Sequence, residues 1–388
     1  MKISRSWGWV AVLATALAGV SPLSATATSE PVVVVQGSGP RYLGTLGGSS
    51  SWGADINARS HVAGSAQTSN GSVHAFRWTP SNGMQDLGTL GGRNSSAVAI
   101  NQWGQIIGDS HTDVDGEGHA FVWTPSGGMR DLGTFGGCCT VPRAINDRGQ
   151  VTGDSYFADG NMHAFQWTAA GGLCDLGTLG GLARYGSAIN VLGQITGSSY
   201  NAEGALRAFR WTPSGGMQDL GTLGGRNSQG WEINPLGHII GLAEVADGSN
   251  HGFRWTPSGG MQDLGPFVPS EINALGQIVG SQFFDPEGPP HPHHASRWTP
   301  SGGWQDLGTL GGEESFAWGI TDLGHVIGAA DRSDGSRHVF RWTTSSGMRD
   351  LGPLPENLDP VAMNIRGQIA GSIADMAEGR SSAFLWTP

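Results

Sequence analysis

The hydrophobic residues of this chain occur in short runs, and each run is bounded by residues that favour turns. In one stretch the runs are Ala97–Asn101, Gln105–Ser110, His119–Thr124 and Met129–Leu132, all with β-branched, aromatic or aliphatic members. The segment 101–104, Asn-Gln-Trp-Gly, is typical of a tight hairpin turn capped by the Asn side chain. Apolar residues do not recur at helical spacing, so the pattern predicts an all-β fold.

This unit of four runs repeats with a period of about 44 residues, and a Trp-Thr pair marks the same point in each copy. The marked tryptophans are Trp78, Trp123, Trp167, Trp211, Trp255, Trp298, Trp342 and Trp386. Four strands in about 44 residues are typical of one blade of a β-propeller. We therefore predict an eight-bladed β-propeller, with a β-solenoid or two stacked sandwiches as the alternatives.

The two ends of the repeated region complement each other. Residues 42–48 match the fourth strand of the other units, whereas the chain stops at Pro388, directly after a third strand. We expect residues 41–48 to supply the missing fourth strand of the last blade and so to close the ring without an open edge. The predicted organisation is a signal peptide at 1–27, a short linker at 28–40 and a single propeller domain at 41–388.

The N-terminus has the features of an export signal. Lys2 and Arg5 precede an apolar stretch at 7–20, and Ala-Thr-Ala at 25–27 supplies the small residues of a cleavage site. The apolar stretch is shorter than the roughly 20 residues that a spanning helix needs. We predict a secreted protein, extracellular or periplasmic after cleavage; an uncleaved N-terminal anchor is the alternative.

Composition excludes some partners and leaves cysteine pairing open. The formal net charge is −11 and Lys2 is the only lysine, which argues against polybasic binding to nucleic acid or to anionic membranes. Three cysteines are too few for a disulfide scaffold. Cys138 and Cys139 could form a vicinal bridge, Cys139 could pair with Cys174, or all three could be free thiols.

Several positions recur in the units and have structural interpretations. A histidine recurs in six of them, at His74, His119, His163, His251, His294 and His338. A metal or proton-relay ring is one interpretation, but copies spaced one per blade cannot converge on one ion. We predict a hydrogen bond within each blade from this histidine to the repeated Asp or a Ser of a neighbouring strand. The Trp-Thr tryptophans should pack between blades, and Ser60, which replaces a repeated turn glycine, should be strained.

The repeated elements also resemble those of a known family. His-Ala-Phe at 74–76, 119–121 and 163–165, together with the Asp-Leu-Gly-Thr-Leu-Gly-Gly and Ile-Asn-x-x-Gly elements, is similar to the HAF repeats of bacterial predicted extracellular proteins. The resemblance covers about residues 41–388 and departs at Arg207, Ser296, Thr321 and Ser382. It implies export and a repeat fold, and it implies no defined activity, so no catalytic residue is carried over.

Differences between the units indicate where a ligand could bind. The segments 49–52, 93–96, 138–141, 182–185, 226–229 and 313–316 differ, as do the second-to-third loops, and both sets are expected as loops on one face of the ring. Such variation indicates either a ligand site on a repeated scaffold or drift in loops without a packing role. The candidate ligand-binding residues are Trp52, Arg93, Asn94, Arg184, Tyr185, Arg226 and Phe316.

These features favour a binding or scaffold module for an extracellular glycan, peptide or protein, with no catalytic residue assigned. The alternative is a polysaccharide hydrolase or lyase with two carboxylates near the channel mouth. Its candidate acids are Glu232, Glu271, Glu313 and Glu314. No P-loop, HExxH, Rossmann or G-x-S-x-G motif is present in the sequence.

Two local clusters have metal-ligating side chains. Asp113, Asp115 and Glu117 place carboxylates at alternate positions around a glycine and could hold Ca²⁺, although the spacing is unlike an EF-hand and a solvated turn explains it as well. His291, His293 and His294 follow one another in the longest loop and could take Zn²⁺ or Cu²⁺. We predict no cofactor beyond this weak calcium candidate.

Overall fold

A computed structural model describes residues 2–3, 39–112, 118–282, 293–354 and 358–387. Among these residues there is no helix, and the strands form eight antiparallel sheets, one per sequence repeat. The first strands of neighbouring blades lie against one another and so form the inner ring around a central channel. The predicted eight-bladed β-propeller is confirmed.

Blades 1 to 7 each contain four strands in chain order, from the channel to the rim. The first strands are Gly47–Ile56, Gly91–Ile100, Gly136–Ile145, Gly180–Ile189, Gly224–Ile233, Phe267–Ile272, Gly311–Ile320 and Leu358–Asn364. The second strands are Val62–Thr68, Ile106–Thr112, Val151–Phe157, Ile195–Asn201, Ile239–Val245, Ile278–Gln282, Val326–Arg332 and Ile369–Asp375.

The outer strands are shorter on average. The third strands are Val73–Thr79, Gly118–Thr124, Met162–Thr168, Leu206–Thr212, Asn250–Thr256, Ala295–Thr299, Arg337–Thr343 and Arg380–Trp386. The fourth strands of blades 1 to 7 are Gly83–Asp86, Gly128–Asp131, Gly172–Asp175, Gly216–Asp219, Gly260–Asp263, Gly303–Asp306 and Gly347–Pro353.

Blade 8 receives its fourth strand from the start of the described chain, as predicted. Arg41–Tyr42 pairs antiparallel with Leu385 and Phe384, and the Leu43 amide donates to the Ala383 carbonyl at 2.9 Å. The closing strand is shorter than the expected 41–48, because residues from Gly47 onward already belong to the first strand of blade 1. Lys2–Ile3 also pairs with blade 8; the rest of the predicted signal peptide lies outside the described residues.

The variable segments expected as crossing loops are strands instead, and that prediction was wrong. In blade 2 the first strand begins at Gly91 rather than Ala97, so residues 93–96 lie within it. The Ser95 hydroxyl donates to the Gly88 carbonyl at 2.6 Å and accepts from the Ala75 amide at 2.9 Å, which joins blade 2 to blade 1. A Cβ on Gly92 would lie 2.6 Å from the main chain of His111, so glycine allows this close pairing.

The interior consists of apolar clusters that lie between neighbouring blades. Trp167 of blade 3, for example, packs with Ala99, Val122 and Leu132 of blade 2. Seven of the eight repeated tryptophans are buried, and Trp211 is half-buried. The predicted packing of these residues between blades is therefore confirmed.

The repeated histidines bond within their own blades, as predicted. In all six units the histidine Nδ1 lies 2.8–3.0 Å from a carboxylate oxygen of the Asp twelve residues later. This contact joins the third strand to the end of the fourth strand. Each of these histidines is therefore held by its own blade.

The structure also shows the conformation of Ser60 and the pairing of the cysteines. Ser60 has φ of 62°, the left-handed conformation that the repeated glycine adopts in the other units, so the predicted strain is confirmed. Cys138 and Cys139 form a vicinal disulfide, and Cys174 is a free, exposed thiol.

An amide ladder runs around the channel and ties the blades together. The Asn side chain that caps each first-to-second turn donates from Nδ2 to the carbonyl of the equivalent residue in the next blade, at 2.8–3.1 Å. Seven such links join the eight turns, including the link from Asn364 to Asn57 across the closure. The missing link is the one from blade 7 to blade 8, because Thr321 has no amide to donate.

We expect Thr321→Asn to stabilise the protein by about 1 kcal/mol, since a buried carbonyl of Asn364 gains a donor. The reverse change, Asn190→Thr, should cost about 2 kcal/mol because the Asn190 amide group donates to Asn234 and Gln194. Urea denaturation midpoints of the two variants measure both effects. A destabilised Thr321→Asn variant would contradict the expectation.

Candidate functional site

Every first strand contains a bulge with one extra residue at the same point of the strand. The pairing with the second strand shifts register at the same point in all eight blades, for example between Ala97 and Ala99. A bulge leaves its extra residue unpaired and re-aims the side chain. The extra residues, which we call the bulge ring, are Ala54, Val98, Arg143, Ser187, Trp231, Ser270, Trp318 and Val361.

The bulge ring is chemically uneven, and sequence reasoning did not identify it. Blades 8, 1 and 2 contribute Val361, Ala54 and Val98, whereas blades 3 to 7 contribute the arginine, two serines and two tryptophans. In the sequence, the only sign of the bulge ring is that this position holds chemically different residues in different repeats. The alternating pattern of a strand does not reveal a bulge, however, so the sequence alone does not identify these residues as the unpaired ones.

Arg143 connects the bulge ring to two neighbouring side chains. Its Nε and Nη2 lie 2.8 and 2.7 Å from Oδ2 of the buried Asp154, and its guanidinium lies 4.9 Å above the Tyr185 ring of the next blade. The Tyr185 hydroxyl donates to Gln229 at 3.4 Å. Burial raises the pKa of Asp154 to about 6, and the Arg143 charge opposes that rise.

Three of the predicted ligand-binding residues occupy one equivalent strand position. Trp52, Tyr185 and Phe316 each lie two residues before the bulge residue, and each is paired with the middle residue of its second strand. Trp52 is 37% exposed, and Phe316 lies 5.0 Å from the Arg337 guanidinium. The fold therefore places these aromatic side chains at one equivalent position of the innermost strand, on three separate blades.

The other predicted ligand-binding residues have different surroundings. Arg93 and Arg226 are exposed at the start of their first strands, and Arg226 donates to the Gly204 carbonyl at 3.4 Å. Asn94 accepts from the Val73 amide at 3.0 Å, so it contributes to contact between blades. Arg184 lies in the first strand of blade 4, and its side chain is outside the described structure.

Near the opposite mouth, two of the candidate acids line one cavity. Glu232 and Glu271, from adjacent blades, border a cavity of about 70 Å³, and Glu232 also borders a neighbouring cavity of about 130 Å³. Burial raises the pKa of Glu232 to about 8. Glu313 and Glu314 lie at the start of their first strand, on the other face, where Glu314 pairs with Arg337 at 2.9 Å.

Most residues of the two predicted metal clusters lie outside the part of the chain that the structure describes. Asp113, Asp115 and Glu117 lie outside the described residues, as does His291. His294 is hydrogen bonded to Asp306 at 2.8 Å, and the His293 ring lies 5.8 Å from that of Phe316. Within the described ranges, no three His, Cys, Asp or Glu side chains are grouped to hold an ion.

Comparisons with known proteins bear on the fold. No family model and no curated protein sequence matches the chain. The structure is similar to dipeptidyl peptidase 4 of Porphyromonas gingivalis (10% identity, TM-score 0.54), covering 84% of this chain and 57% of the peptidase. It is also similar to a structure from a study of two prolyl endopeptidases (12% identity, TM-score 0.52), covering 89% of this chain and 55% of that one.

A third similar structure is the BP39L lectin of Burkholderia pseudomallei, with 11% identity and a TM-score of 0.43. The match covers 80% of this chain and 99% of the lectin. The matches to the two peptidase structures, in contrast, cover little more than half the length of those chains. At these identities the similarities show the fold alone. The chain is a β-propeller scaffold. In the part of the chain that the structure describes, no helix is long and apolar enough to cross a membrane.

Proposed function

We propose that this protein is an exported binding module that takes a glycan at the channel mouth carrying the second-to-third loops. The observation that supports this most directly is the shared position of Trp52, Tyr185 and Phe316 on the innermost strands of three blades. Aromatic faces pack against the apolar faces of sugar rings, and strand residues hold those faces in fixed positions. An extended glycan could contact more than one blade at a time.

Polar groups beside the aromatic residues suit hydroxyl recognition. Arg143, held by Asp154, stacks on Tyr185, and the Gln229 amide lies next to the Tyr185 hydroxyl. Guanidinium and amide groups supply both donors and acceptors in planar arrangements. Because the Arg143 side chain is restrained on two sides, it would lose little conformational entropy when a ligand binds.

The test is binding of the purified chain to a glycan array, with a peptide array as a second arm. For a glycan so identified, combined replacement of Trp52, Tyr185 and Phe316 by Ala should weaken binding about 100-fold, since each ring contributes about 1 kcal/mol. Trp103→Ala is the matched control, because Trp103 is an exposed tryptophan on the opposite face. Undiminished binding by the triple variant would place the ligand elsewhere, and binding to peptides alone would identify a peptide ligand.

A second candidate function, hydrolysis of a polysaccharide, is favoured by the shared cavity of Glu232 and Glu271. With a pKa of about 8, Glu232 would keep its proton at neutral pH and could act as a general acid. Glu271 would then be the second carboxylate that glycoside hydrolysis requires. Release of reducing ends from a bound polysaccharide, abolished by either Glu232→Gln or Glu271→Gln, is the expected result; activity that survives both changes would contradict this function.

A further inference from the structure

The face opposite the proposed glycan site carries an exposed residue at the same turn position of every blade. It is the third residue of each first-to-second turn, two positions after the turn-capping Asn or Thr. These residues, which we call the tip ring, are Arg59, Trp103, Arg148, Leu192, Leu236, Leu275, Leu323 and Arg366. Every one of them is leucine, arginine or tryptophan, although a solvent-exposed turn position tolerates almost any polar residue.

The leucines of the tip ring are highly exposed. Their exposed fractions are 50% for Leu192, 58% for Leu236, 61% for Leu275 and 80% for Leu323. Isolated exposed leucines are ordinary, but four consecutive blades that present leucine at one position form a shared apolar surface. Trp103, 57% exposed, adds to this surface on the other side of the ring.

The remaining tip positions are basic. Arg59, Arg148 and Arg366 come from blades 1, 3 and 8, and the Arg59 guanidinium lies 5.2 Å from the Trp103 ring. The same turns carry two acids: Asp147 accepts from the Gln102 main-chain amide and Asp322 from the Ala274 main-chain amide, each at 2.9 Å. The three arginines therefore exceed the two acids of these turns by one charge, although the whole chain has a net charge of −11.

The turns that carry the tip ring are held in fixed relation to one another. The amide ladder links seven of the eight pairs of neighbouring turns, all but the pair from blades 7 and 8, and the capping Asn also accepts from two main-chain amides of its own turn, as at Trp103 and Gln105. Most tips are consequently tied to their neighbours rather than carried by independent loops. A circle of linked tips suits a flat binding partner.

We propose that the tip ring docks this protein on a phospholipid bilayer, with the leucines and Trp103 in the interfacial layer and the arginines at the lipid phosphates. Leucine and tryptophan are favourable at this depth, and arginine pairs with phosphate oxygens. The net charge excludes a polybasic mode of attachment; here apolar insertion supplies the affinity, and three arginines supply local charge complementarity.

A bilayer fits this surface better than a protein partner does. The leucines come from neighbouring blades, and the tip residues are not among those that line the two cavities near this face. A rigid partner would need one pocket per tip, whereas the fluid acyl boundary accommodates all of them.

The test is co-sedimentation of the full chain with sucrose-loaded vesicles of phosphatidylcholine, with and without phosphatidylglycerol. Wild type should bind both, and more strongly with phosphatidylglycerol. The double variant Leu275→Ser/Leu323→Ser should lower the partition coefficient about 20-fold through lost apolar burial. Its matched control is Leu182→Ser/Met376→Ser, which removes two side chains of similar exposure, 65% and 76%, from the opposite face; this control should bind like wild type.

A separate variant tests the contribution of the three arginines to vesicle binding. Combined replacement of Arg59, Arg148 and Arg366 by Gln should reduce partition onto phosphatidylglycerol vesicles about 100-fold and onto pure phosphatidylcholine much less. All substituted side chains are exposed, so unchanged urea midpoints should accompany these losses. The proposal is overturned if wild type does not bind vesicles, if the leucine variant binds as wild type does, or if the opposite-face control loses binding equally. It does not depend on the glycan site, because the two lie on different faces.

Discussion

Deletion of residues 28–46 should lower the free energy of unfolding by about 5 kcal/mol. The deletion removes the main-chain pairing of Arg41–Tyr42 with the last strand and the Leu43 amide bond to Ala383, each bond contributing about 1 kcal/mol. It also removes Leu43, which is 6% exposed and packs with Leu385 and Trp78, at a cost of about 2 kcal/mol. Urea denaturation measures the change.

Two comparisons make the deletion informative. Removal of residues 28–38 alone leaves the closing strand in place and should keep the wild-type midpoint. Leu43→Asp keeps the chain length but places a carboxylate in the cluster that joins blade 8 to blade 1, so it should reproduce most of the loss. A 28–46 deletion with the wild-type midpoint and m-value would show that the ring does not depend on this strand.

Replacement of Glu232 by Gln should stabilise the protein by about 3 kcal/mol at pH 9 and by little at pH 4.5. In the folded state burial raises the pKa of Glu232 from 4.5 to about 8. Between these values the folded protein keeps a proton that the unfolded chain has released, so stability falls as pH rises through that window. Above pH 8 the folded state holds a buried charge, and glutamine removes its cost; solvent access to the partly exposed side chain reduces the effect below the full shift.

The quantity to compare at each pH is the difference in the free energy of unfolding between variant and wild type, because other groups also titrate. Burial raises the pKa of Asp154 to about 6 as well, and that contribution is common to both proteins. Glu313→Gln is the matched control, since Glu313 is an exposed glutamate on the other face of the ring. Equal stabilisation by Glu232→Gln at pH 4.5 and pH 9 would contradict a raised pKa.

The fold could be predicted from the sequence because its determinants repeat. A turn capped by Asn101, a tryptophan at the end of each third strand and a histidine paired with Asp twelve residues later are all local features, and eight copies make them visible. The closing strand could be predicted for the same reason, because its repeat element is displaced to the other end of the chain. Local rules that agree across copies are strong evidence of a single fold.

The candidate site could be predicted only in part, because its chemistry departs from the repeat. Trp52, Tyr185 and Phe316 were identified as unlike residues at equivalent points. The contact of Arg143 with Asp154 and Tyr185 depends on a bulge, and a Gly-Gly pair, which disfavours a strand, begins the first strand of six blades. The meeting of Glu232 and Glu271 at one cavity depends on ring curvature, which sequence spacing does not encode.

The single gap in the amide ladder bears on how the folded ring fluctuates. Blade 7 lacks the link to blade 8 at Thr321, and blade 8 is itself completed by a strand from the opposite end of the chain. Native-state hydrogen exchange should therefore reveal a sub-global opening in which the amides of blade 8 exchange together, ahead of those in blades 3 to 5. The boundary between blades 7 and 8 would then act as the seam at which the ring first separates.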